Sequence, residues 1–386
     1  MIYLDNAATT YPKPEVVYEA VNYATRNLAF NAGRGGYEEA RTASKVINDA
    51  RASVASLVKT KSENVVFTSS ATESLNLIIN GLSIENGDVV YISPFEHNAI
   101  VRPLYLLKEK VDFQIEILPF DNKNWEPEIN KISDMFSFKK PKAVFISQIS
   151  NVTGLLLDYE KIFELSKRFG AINILDSAQS LGEVNPNLEN CDYCVFAGHK
   201  TLYSIFGIAG FIICSNHKLT LTKSGGNGSD SLNHYMPSNG YARYESGSPN
   251  VIAIYSLWKS IDWLKDNYDF ETERKLTSYL IEKIGRLPKV KLFLPENKNV
   301  FGIVSFAVEG YTSDDVASIL SEEFDIKVRS GFHCSPFVHS FIGSEDYKGT
   351  VRISLGAFNT SEDIDKLYDA LLTLWGEGNE SVKFDN

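Results

Sequence analysis

The sequence predicts an α/β fold with a mostly parallel sheet, because short apolar runs alternate with longer segments of helical periodicity. The runs are continuously apolar, as expected for strands that are covered on both faces. They are Val65–Thr68, Asp88–Ile92, Ala143–Ser147, Ile172–Leu175, Tyr193–Phe196 and Gly210–Cys214. Helical patterns such as Glu73–Leu82 and Tyr159–Phe169 separate them. In such sheets, ligands bind beyond the carboxyl ends of the strands.

The pattern changes after about Pro249, which indicates a second and smaller domain of the α+β kind. The predicted helices are Val251–Leu264, Phe270–Ile284, Ser313–Phe324 and Ser361–Leu374, and the predicted strands are Val290–Leu294, Phe301–Val308, Ile326–Val328 and Thr350–Ser354. We therefore expect a large domain over residues 16–257. The small domain is expected over residues 258–386, together with residues 1–15.

The composition disfavours several classes of protein. With 44% hydrophobic and 23% charged residues, the chain of 386 residues has the profile of a globular protein of two or three domains. The 38 basic and 49 acidic residues give a net charge of −11, which makes nucleic acid a poor partner. The longest apolar stretch, Ile205–Cys214, is about half of the roughly 20 residues that a membrane span needs, so no membrane partner is expected.

The cysteine count and the N-terminus indicate a cytoplasmic protein. Four cysteines in a chain of this length are too few for a disulfide framework, which fits a reducing compartment. The first residues contain neither a basic nor an apolar segment of the kind found in secretory signals.

Two polar residues follow neighbouring apolar runs. Lys200 follows Tyr193–Phe196 in the sequence Phe-Ala-Gly-His-Lys, and Asp176 follows Ile172–Leu175. A lysine at the end of a buried strand can form a Schiff base if its pKa is lowered. A carboxylate in that place can keep a pyridine nitrogen protonated. The two segments taken alone also allow a solvated loop lysine and a helix-capping aspartate.

Small hydroxyl residues form the turn between the first apolar run and the next helix, in the sequence Ser69-Ser70-Ala71-Thr72. Such a turn exposes backbone N–H groups at a helix N-terminus and is typical of a phosphate site. Simple N-capping by Ser70 or Thr72 explains the same residues, and the two interpretations are compatible.

A histidine and a cysteine complete the set of candidate residues. His97 follows Asp88–Ile92 and is either a ring that stacks on a flat cofactor or an ordinary loop histidine. Cys334 lies in the sequence Arg-Ser-Gly-Phe-His-Cys-Ser-Pro, which is typical of an exposed loop thiol, and a nearby cation would favour its thiolate. Cys191 and Cys194 form a single Cys-x-x-Cys pair, which we interpret as structural, so no metal is expected.

Taken together and in this order, the segments resemble the pyridoxal phosphate (PLP) enzymes of aminotransferase class V, and among them the cysteine desulfurases. The resemblance covers nearly the whole chain. It runs through Tyr3–Thr10, Ala71–Glu73, Glu96–Asn98, Ser150–Gly154, Asp176–Gln179, Gly198–Lys200, Arg329–Cys334 and Arg352. It implies PLP fold type I, with a sheet of the seven-stranded type in the large domain and the catalytic cysteine in the small domain.

The resemblance implies a role for each matching residue. Lys200 would bind the cofactor covalently and later move protons, Asp176 would pair with the pyridine nitrogen, and His97 would stack on the ring as a further acid or base. The other implied cofactor ligands are Gln179 at the ring hydroxyl, Thr72 and His199 at the phosphate, together with Ala71, Asn151 and Ser248. The implied catalytic residues are Lys200, Cys334 and His97.

Substrate binding and subunit contacts follow from the same resemblance. Arg352 would clamp the substrate carboxylate, for which a planar guanidinium is suited, and Asn151, Arg34 and Ala8 would also contact the substrate. The family is dimeric, and each site is completed by the partner subunit. The segment of Arg34 resembles an active-site arginine loop, and Ser248 resembles the hydroxyl that reaches the neighbour's phosphate.

Two residues depart from the family's pattern. Ala197 stands where the family usually has a serine that binds the phosphate, so one hydrogen bond is expected to be missing. Phe332 replaces the first histidine of an Arg-x-Gly-His-His-Cys motif. That motif marks the short-loop kind of desulfurase, which includes selenocysteine lyases.

The implied function is that of a cysteine desulfurase, which converts L-cysteine to L-alanine and forms a persulfide on Cys334. The sulfur then passes to an acceptor protein, as in iron–sulfur cluster assembly, and L-selenocysteine is an alternative substrate. Other class-V activities, in which Cys334 is not essential, are selenocysteine lyase, aminotransferase, epimerase and C–S lyase. A non-catalytic scaffold is the alternative of another class, and the presence of Lys200, Asp176 and Thr72 disfavours it.

Overall fold

The computed structural model describes residues 1–33, 35–228 and 232–376 of the chain. It divides into two compact units. The large unit comprises Pro12–Ser150 and Leu156–Tyr268, and the small unit comprises Met1–Tyr11, Asn151–Leu155 and the chain from Asp269 onward. Within the described ranges, no helix has the length and apolarity needed to cross a bilayer.

The strands are β1 (Ile2–Tyr3), β2 (Val65–Thr68), β3 (Val89–Ile92), β4 (Gln114–Ile117), β5 (Ala143–Ser147), β6 (Ile172–Asp176), β7 (Tyr193–Ala197), β8 (Ala209–Ile213), β9 (Val290–Phe293), β10 (Ile303–Val308), β11 (Ile326–Lys327) and β12 (Val351–Ser354). The helices are α1 (Glu15–Asn27), α2 (Glu38–Leu57), α3 (Ala71–Gly81), α4 (Asn98–Lys108), α5 (Ile129–Phe138), α6 (Tyr159–Arg168), α7 (Val251–Asn267), α8 (Phe270–Ile284), α9 (Ser313–Glu323), α10 (Val338–Ile342) and α11 (Ser361–Gly376).

The large unit is built on a seven-stranded sheet with the order β2-β8-β7-β6-β5-β3-β4. The pairs from β7 through β4 are parallel, whereas β8 is antiparallel to both of its neighbours. β3, β5 and β7 are buried at every residue, which explains their continuous apolar sequences. The predicted α/β fold with a mostly parallel sheet is confirmed. The edge strand β4 was not predicted, because its sequence alternates polar and apolar residues and is partly exposed.

The division between the units differs from the predicted domain boundary. The predicted boundary at residues 257 and 258 falls inside α7. Because α7 packs against α1 and α2, the whole helix belongs to the large unit, which ends at Tyr268. At the other end of the chain, the small unit includes the N-terminus only as far as Tyr11.

The small unit contains an antiparallel sheet of the order β12-β10-β9 and a parallel pair formed by β1 and β11. Its core is apolar and includes Leu4, Phe306, Ile353 and Leu371. α9 begins with a capping box, in which Thr312 and Asp315 satisfy each other's backbone N–H groups. The α+β character that the sequence predicted for this part of the chain agrees with this arrangement.

The segment Asn151–Leu155 belongs to the small unit through a close backbone approach. Gly154 has a φ of 70°, and a Cβ at this position would lie 2.3 Å from the carbonyl oxygen of Ile303. Only glycine fits such an approach. The N–H of Phe301 donates to the Gly154 carbonyl at 2.8 Å, and Ser305 Oγ donates to the Val152 carbonyl at 2.6 Å. These contacts fix the position of Asn151 at the start of the segment.

A buried ion pair anchors the segment that contains Ser248 to the core of the large unit. Arg51 is only 1% exposed, and its Nη1 and Nη2 donate to Oε1 and Oε2 of Glu245 at 2.7 and 2.9 Å. The guanidinium carbon also lies 3.7 Å from the ring centroid of Tyr241. Glu245 Oε1 accepts a further bond from the N–H of Phe67 in β2 at 2.7 Å. The start of the segment at Glu245 is therefore tied to both α2 and β2.

We expect the substitution Glu245→Gln to destabilise the protein by about 3–5 kcal/mol, because it leaves a buried guanidinium without its counter-charge. Urea unfolding followed by tryptophan fluorescence measures this loss. Glu282→Gln is the matched control, since Glu282 pairs with Arg286 on the surface, where loss of the pair costs at most about 1 kcal/mol. Equal losses in the two variants would contradict the anchoring role of Glu245.

Candidate active site

The parallel register of β5, β6 and β7 brings the candidate residues of the large unit to one edge of the sheet. Asp176 is the last residue of β6, and its register partners are Ser147 and Val195. Burial raises the pKa of the Asp176 carboxyl, while the N–H of Ala178 and the ammonium of Lys200 act in the opposite direction. Lys200 follows the end of β7, the strand that pairs with β6, so the two residues lie at neighbouring strand ends.

His199 directly precedes Lys200 in the turn after β7. Its pKa is lowered to about 3, mainly by burial and further by the positive charges of Lys200 and Lys13, so the imidazole is neutral at physiological pH. Lys13 Nζ donates to the carbonyl oxygen of His199 at 3.0 Å, and burial lowers the pKa of Lys13 to about 7. The His199 ring packs on Phe206 with the centroids 4.6 Å apart. The sequence did not single out Lys13.

His97 is the N-cap residue of α4, and its ring orientation follows from that role. Its Nδ1 accepts the N–H of Ala99 at 3.0 Å, so in the neutral ring the proton resides on Nε2. The neighbouring Glu96 is fully buried and accepts bonds from Ser93 Oγ at 2.5 Å and from both the N–H and Oγ of Ser147 at 2.8 Å. Burial raises the pKa of Glu96 to about 8, and the charge of Asp176 acts in the same direction.

The turn before α3 combines helix capping with first-turn amides that have no acceptor within the helix. Ser70 Oγ accepts the N–H of Glu73 at 3.1 Å, so the capping interpretation is correct for Ser70. Glu73 Oε2 accepts the N–H and Oγ of Ser69 at 2.8 and 2.7 Å, which commits that serine to the cap as well. Ala71 and Thr72 are the first residues of the helix, where N–H groups have no acceptor within the helix itself. A phosphate at this turn would therefore meet the amides of Ala71 and Thr72.

A cavity of about 430 Å³ in the large unit is lined by Ser69, Glu73 and Ser248, among other residues. Ser248 is exposed. Lys200, Asp176 and His97 do not line this cavity. Gln179 is buried, and Ala197, the residue that departs from the family's pattern, is the buried last residue of β7.

In the small unit, Cys334 is an exposed free thiol in a turn of unusual backbone conformation. His333 and Cys334 have φ values of 45° and 57°. Asn151 Nδ2 donates to the carbonyl oxygen of His333 at 2.7 Å, and Ser335 Oγ donates to Asn151 Oδ1 at 2.7 Å. The partly exposed Phe332 packs edge-on against a neighbouring histidine ring. The predicted loop thiol is therefore accessible and held from both sides.

Arg352 is buried in the small unit between two acceptors. Its Nη2 donates to Asp5 Oδ1 at 2.8 Å, and its Nη1 donates to the carbonyl oxygen of Asn151 at 2.8 Å. Asp5 Oδ2 also accepts a bond from Arg329 Nε at 3.1 Å, so one carboxylate orients two arginines. Arg352 Nε is buried and has no hydrogen-bond partner in the described part of the chain. Burial lowers the pKa of Arg352, but a guanidinium stays charged in proteins.

The remaining predicted site residues have different outcomes. The N–H of Ala8 donates to the carbonyl oxygen of Asp5 at 3.1 Å and closes a turn, which leaves its contact with substrate a prediction. Arg34 lies outside the described residues. The described ranges contain no group of three or more His, Cys, Asp or Glu side chains that could hold a metal ion.

Sequence reasoning gave no role to Asp5, Glu96 or Ser335, although each contacts or adjoins a predicted site residue. For Glu96 the sequence held a recognisable signal, because this carboxylate lies four residues after an apolar run and immediately before the candidate His97. The sequence held no signal for the contact between Asp5 and Arg352, because the two residues are 347 positions apart.

Comparison with known proteins identifies the family of the chain. The family model described as aminotransferase class-V matches residues 2–367. The chain is 30% identical to a protein from Methanothermobacter thermautotrophicus named probable cysteine desulfurase, over 98% of this chain and 95% of the relative. It is also 30% identical to a cysteine desulfurase from Wigglesworthia glossinidia brevipalpis, over 96% of this chain and 92% of that protein.

A solved structure gives the same result. The apo cysteine desulfurase from Thermococcus onnurineus has a TM-score of 0.89 and 29% sequence identity, over 97% of this chain and 94% of that one. The fold predicted from the resemblance, PLP fold type I with a seven-stranded sheet, is thereby confirmed. Since the family model spans residues 2–367 and the site residues lie in order along it, the chain belongs to the aminotransferase class-V family.

Proposed function

We propose that this protein is a PLP-dependent cysteine desulfurase, which converts L-cysteine to L-alanine and takes the sulfur on Cys334 as a persulfide. The observation that carries the proposal is the presence of two groups in the small unit. Cys334 is an exposed thiol, and Arg352 is a buried guanidinium whose Nε has no hydrogen-bond partner within the described residues. A thiol serves as the sulfur acceptor, and a guanidinium binds a carboxylate. The names of the relatives and of the solved structure support the same activity.

The residues of the large unit fit PLP. The class-V family is PLP-dependent. A buried carboxylate, Asp176, is suited to a protonated pyridine nitrogen, and the nearby Lys200 amine is suited to a covalent link with the aldehyde. The amides of Ala71 and Thr72 at the start of α3 are suited to the phosphate. When bound, PLP supplies an electron sink for the carbanion at the substrate Cα.

The chain's own groups would handle the protons. Lys200 Nζ would accept the proton from the substrate Cα and return it to the same carbon as alanine forms. His97 offers the N–H of Nε2 as a second proton donor, because its Nδ1 is occupied by the N–H of Ala99. His199 is neutral, so it would contribute a hydrogen bond rather than a charge to the phosphate. Gln179 and Asn151 belong to the proposed cofactor site on the resemblance alone.

The sulfur step would use residues of the small unit. Arg352 binds the substrate carboxylate with its unpaired Nε and the remaining N–H groups. The Cys334 thiolate attacks the substrate sulfur, so that an S–S bond forms while the Cβ–S bond breaks. The electron pair of the broken bond stays on Cβ, which is then protonated, and Cys334 carries the persulfide. Alanine leaves, and an acceptor removes the outer sulfur.

The proposal extends to the surroundings of the site. We propose a homodimer in which Arg34 and Ser248 contribute to the partner's site, a sulfur-acceptor protein, a place in iron–sulfur cluster assembly, and a cytoplasmic location. All four cysteines are free, which is compatible with a reducing compartment. L-Selenocysteine is included as a second substrate because selenium occupies the same position as the sulfur.

We expect Cys334→Ala to abolish alanine formation from L-cysteine while the visible absorption of the PLP-loaded protein stays unchanged. The reason is that the thiol receives sulfur but does not hold the cofactor. Alanine and sulfide are measured in the presence of a reductant. Cys214→Ala is the matched control and should keep wild-type turnover, because Cys214 is a partly buried thiol that directly follows β8 in the large unit. Undiminished turnover in Cys334→Ala, or pyruvate as the product of the wild type, would assign the protein another class-V activity.

We expect Lys200→Ala to lose covalent attachment of PLP. After borohydride reduction of the loaded wild type, mass spectrometry should find the cofactor on the peptide that contains Lys200. The variant should carry no such adduct on any peptide. Lys161→Ala removes an exposed lysine and should keep the adduct on Lys200. An adduct on a different lysine in the wild type would refute the assignment.

A further inference from the structure

The residues on both sides of Cys334 are tied to one side chain, that of Asn151. Its Nδ2 donates to the carbonyl oxygen of His333, and its Oδ1 accepts the hydroxyl of Ser335, both at 2.7 Å. Asn151, His333 and Ser335 are buried, whereas Cys334 between the last two is exposed. A single amide group therefore holds both ends of the turn that presents the thiol.

The turn needs this support because its backbone is strained. Two consecutive non-glycine residues, His333 and Cys334, have left-handed φ values of 45° and 57°. Such conformations persist only where the surroundings enforce them. The His333 ring contributes, since its Nε2 lies 3.0 and 2.9 Å from the carbonyl oxygen and Oγ1 of Thr350. Without the bonds to Asn151, the turn would relax and the thiol would move.

Asn151 also joins this turn to Arg352. Its carbonyl oxygen accepts Arg352 Nη1 at 2.8 Å, while Asp5 holds Nη2 at the same distance. The close approach of Gly154 to the backbone of β10 anchors the segment that carries Asn151. The carboxylate-binding group and the nucleophile thus share one rigid support.

We propose that Asn151 is a positioning residue that fixes the distance from the Cys334 thiol to the Arg352 guanidinium, and that this distance selects amino acids by side-chain length. The inference rests on the proposed function, because it assumes that Arg352 binds the carboxylate and Cys334 takes the sulfur. A substrate held at Arg352 presents sulfur or selenium on its β-carbon to the thiol. Homocysteine has one more methylene, and discrimination by one methylene is worth about 10–200-fold.

The test uses Ser335→Ala in the full-length protein, because this variant removes one of the two bonds to Asn151 without altering a proposed catalytic or binding residue. In the PLP-free protein, we expect amide hydrogen exchange in residues 331–335 to become about tenfold faster, as for loss of one buried hydrogen bond. In the PLP-loaded protein, we expect the ratio of kcat/KM for L-cysteine to that for L-homocysteine to fall about tenfold. Asn6→Ala is the matched control, since Asn6 is a buried asparagine of the same unit whose Nδ2 donates to Ser354 instead.

The outcomes separate the inference from the proposed function. Unchanged exchange in Ser335→Ala, or an equal effect in Asn6→Ala, overturns the positioning role of Asn151. Faster exchange together with an unchanged substrate ratio overturns the selection by length. If exchange is faster in Ser335→Ala but the wild type forms no alanine from L-cysteine, Asn151 still holds the turn and the proposed function is overturned.

Discussion

The parallel register of β5, β6 and β7 is the constraint on which the arrangement of the large unit depends. Ser147, Asp176 and Val195 lie side by side, so the polar residues that end or follow these strands emerge at one level of the sheet. A shift of one residue in β6 would turn Asp176 to the opposite face and separate it from Lys200. Because these strands are buried among apolar neighbours, such a shift would also displace their core side chains. The hydrophobic packing of the sheet therefore fixes the geometry of the proposed cofactor site.

Buried charges are the second organising feature, and three of them lie near a charge of opposite sign. Asp176 lies near Lys200, Arg352 is bound to Asp5, and Arg51 is bound to Glu245. An unpaired charge in the interior costs so much free energy that its partner becomes obligatory. Each pair thus restricts two side chains at once. In the small unit, the pair of Arg352 and Asp5 also helps to hold the turn that contains Cys334, because the carbonyl oxygen of Asn151 accepts a bond from the guanidinium of Arg352.

The sequence was sufficient to predict the features of the fold that depend on local patterns of residues. Continuous apolar runs predicted the central strands to within a residue or two, and the order of short motifs predicted the family. The edge strand β4 was missed, because its partly exposed, alternating sequence resembles a surface segment. The boundary after Tyr268 was also missed, because the packing of α7 on α1 and α2 joins parts of the chain that are far apart in sequence.

Within the candidate site, the same limit applies to contacts between distant segments. The residue types Asn151, Cys334 and Arg352 were identifiable from motifs, but the two bonds that tie Asn151 to the turn of Cys334 span more than 180 residues of sequence. No periodicity or spacing encodes such a contact. The capping role of Ser70, by contrast, depends on a residue three positions away and was among the predicted alternatives.

The burial of Arg51 has a consequence for the behaviour of the protein in salt. Dissolved ions screen the interactions of exposed charges, with a Debye length of about 10 Å at 0.1 M ionic strength, but they screen a buried pair much less. The pair of Lys223 and Glu73 is partly exposed and is weakened by added salt, whereas the pair of Arg51 and Glu245 is weakened much less. The segment that bears Ser248 therefore stays attached to the large unit over a wide range of ionic strength. Two ion pairs that line the same cavity thus respond differently to the electrolyte around the protein.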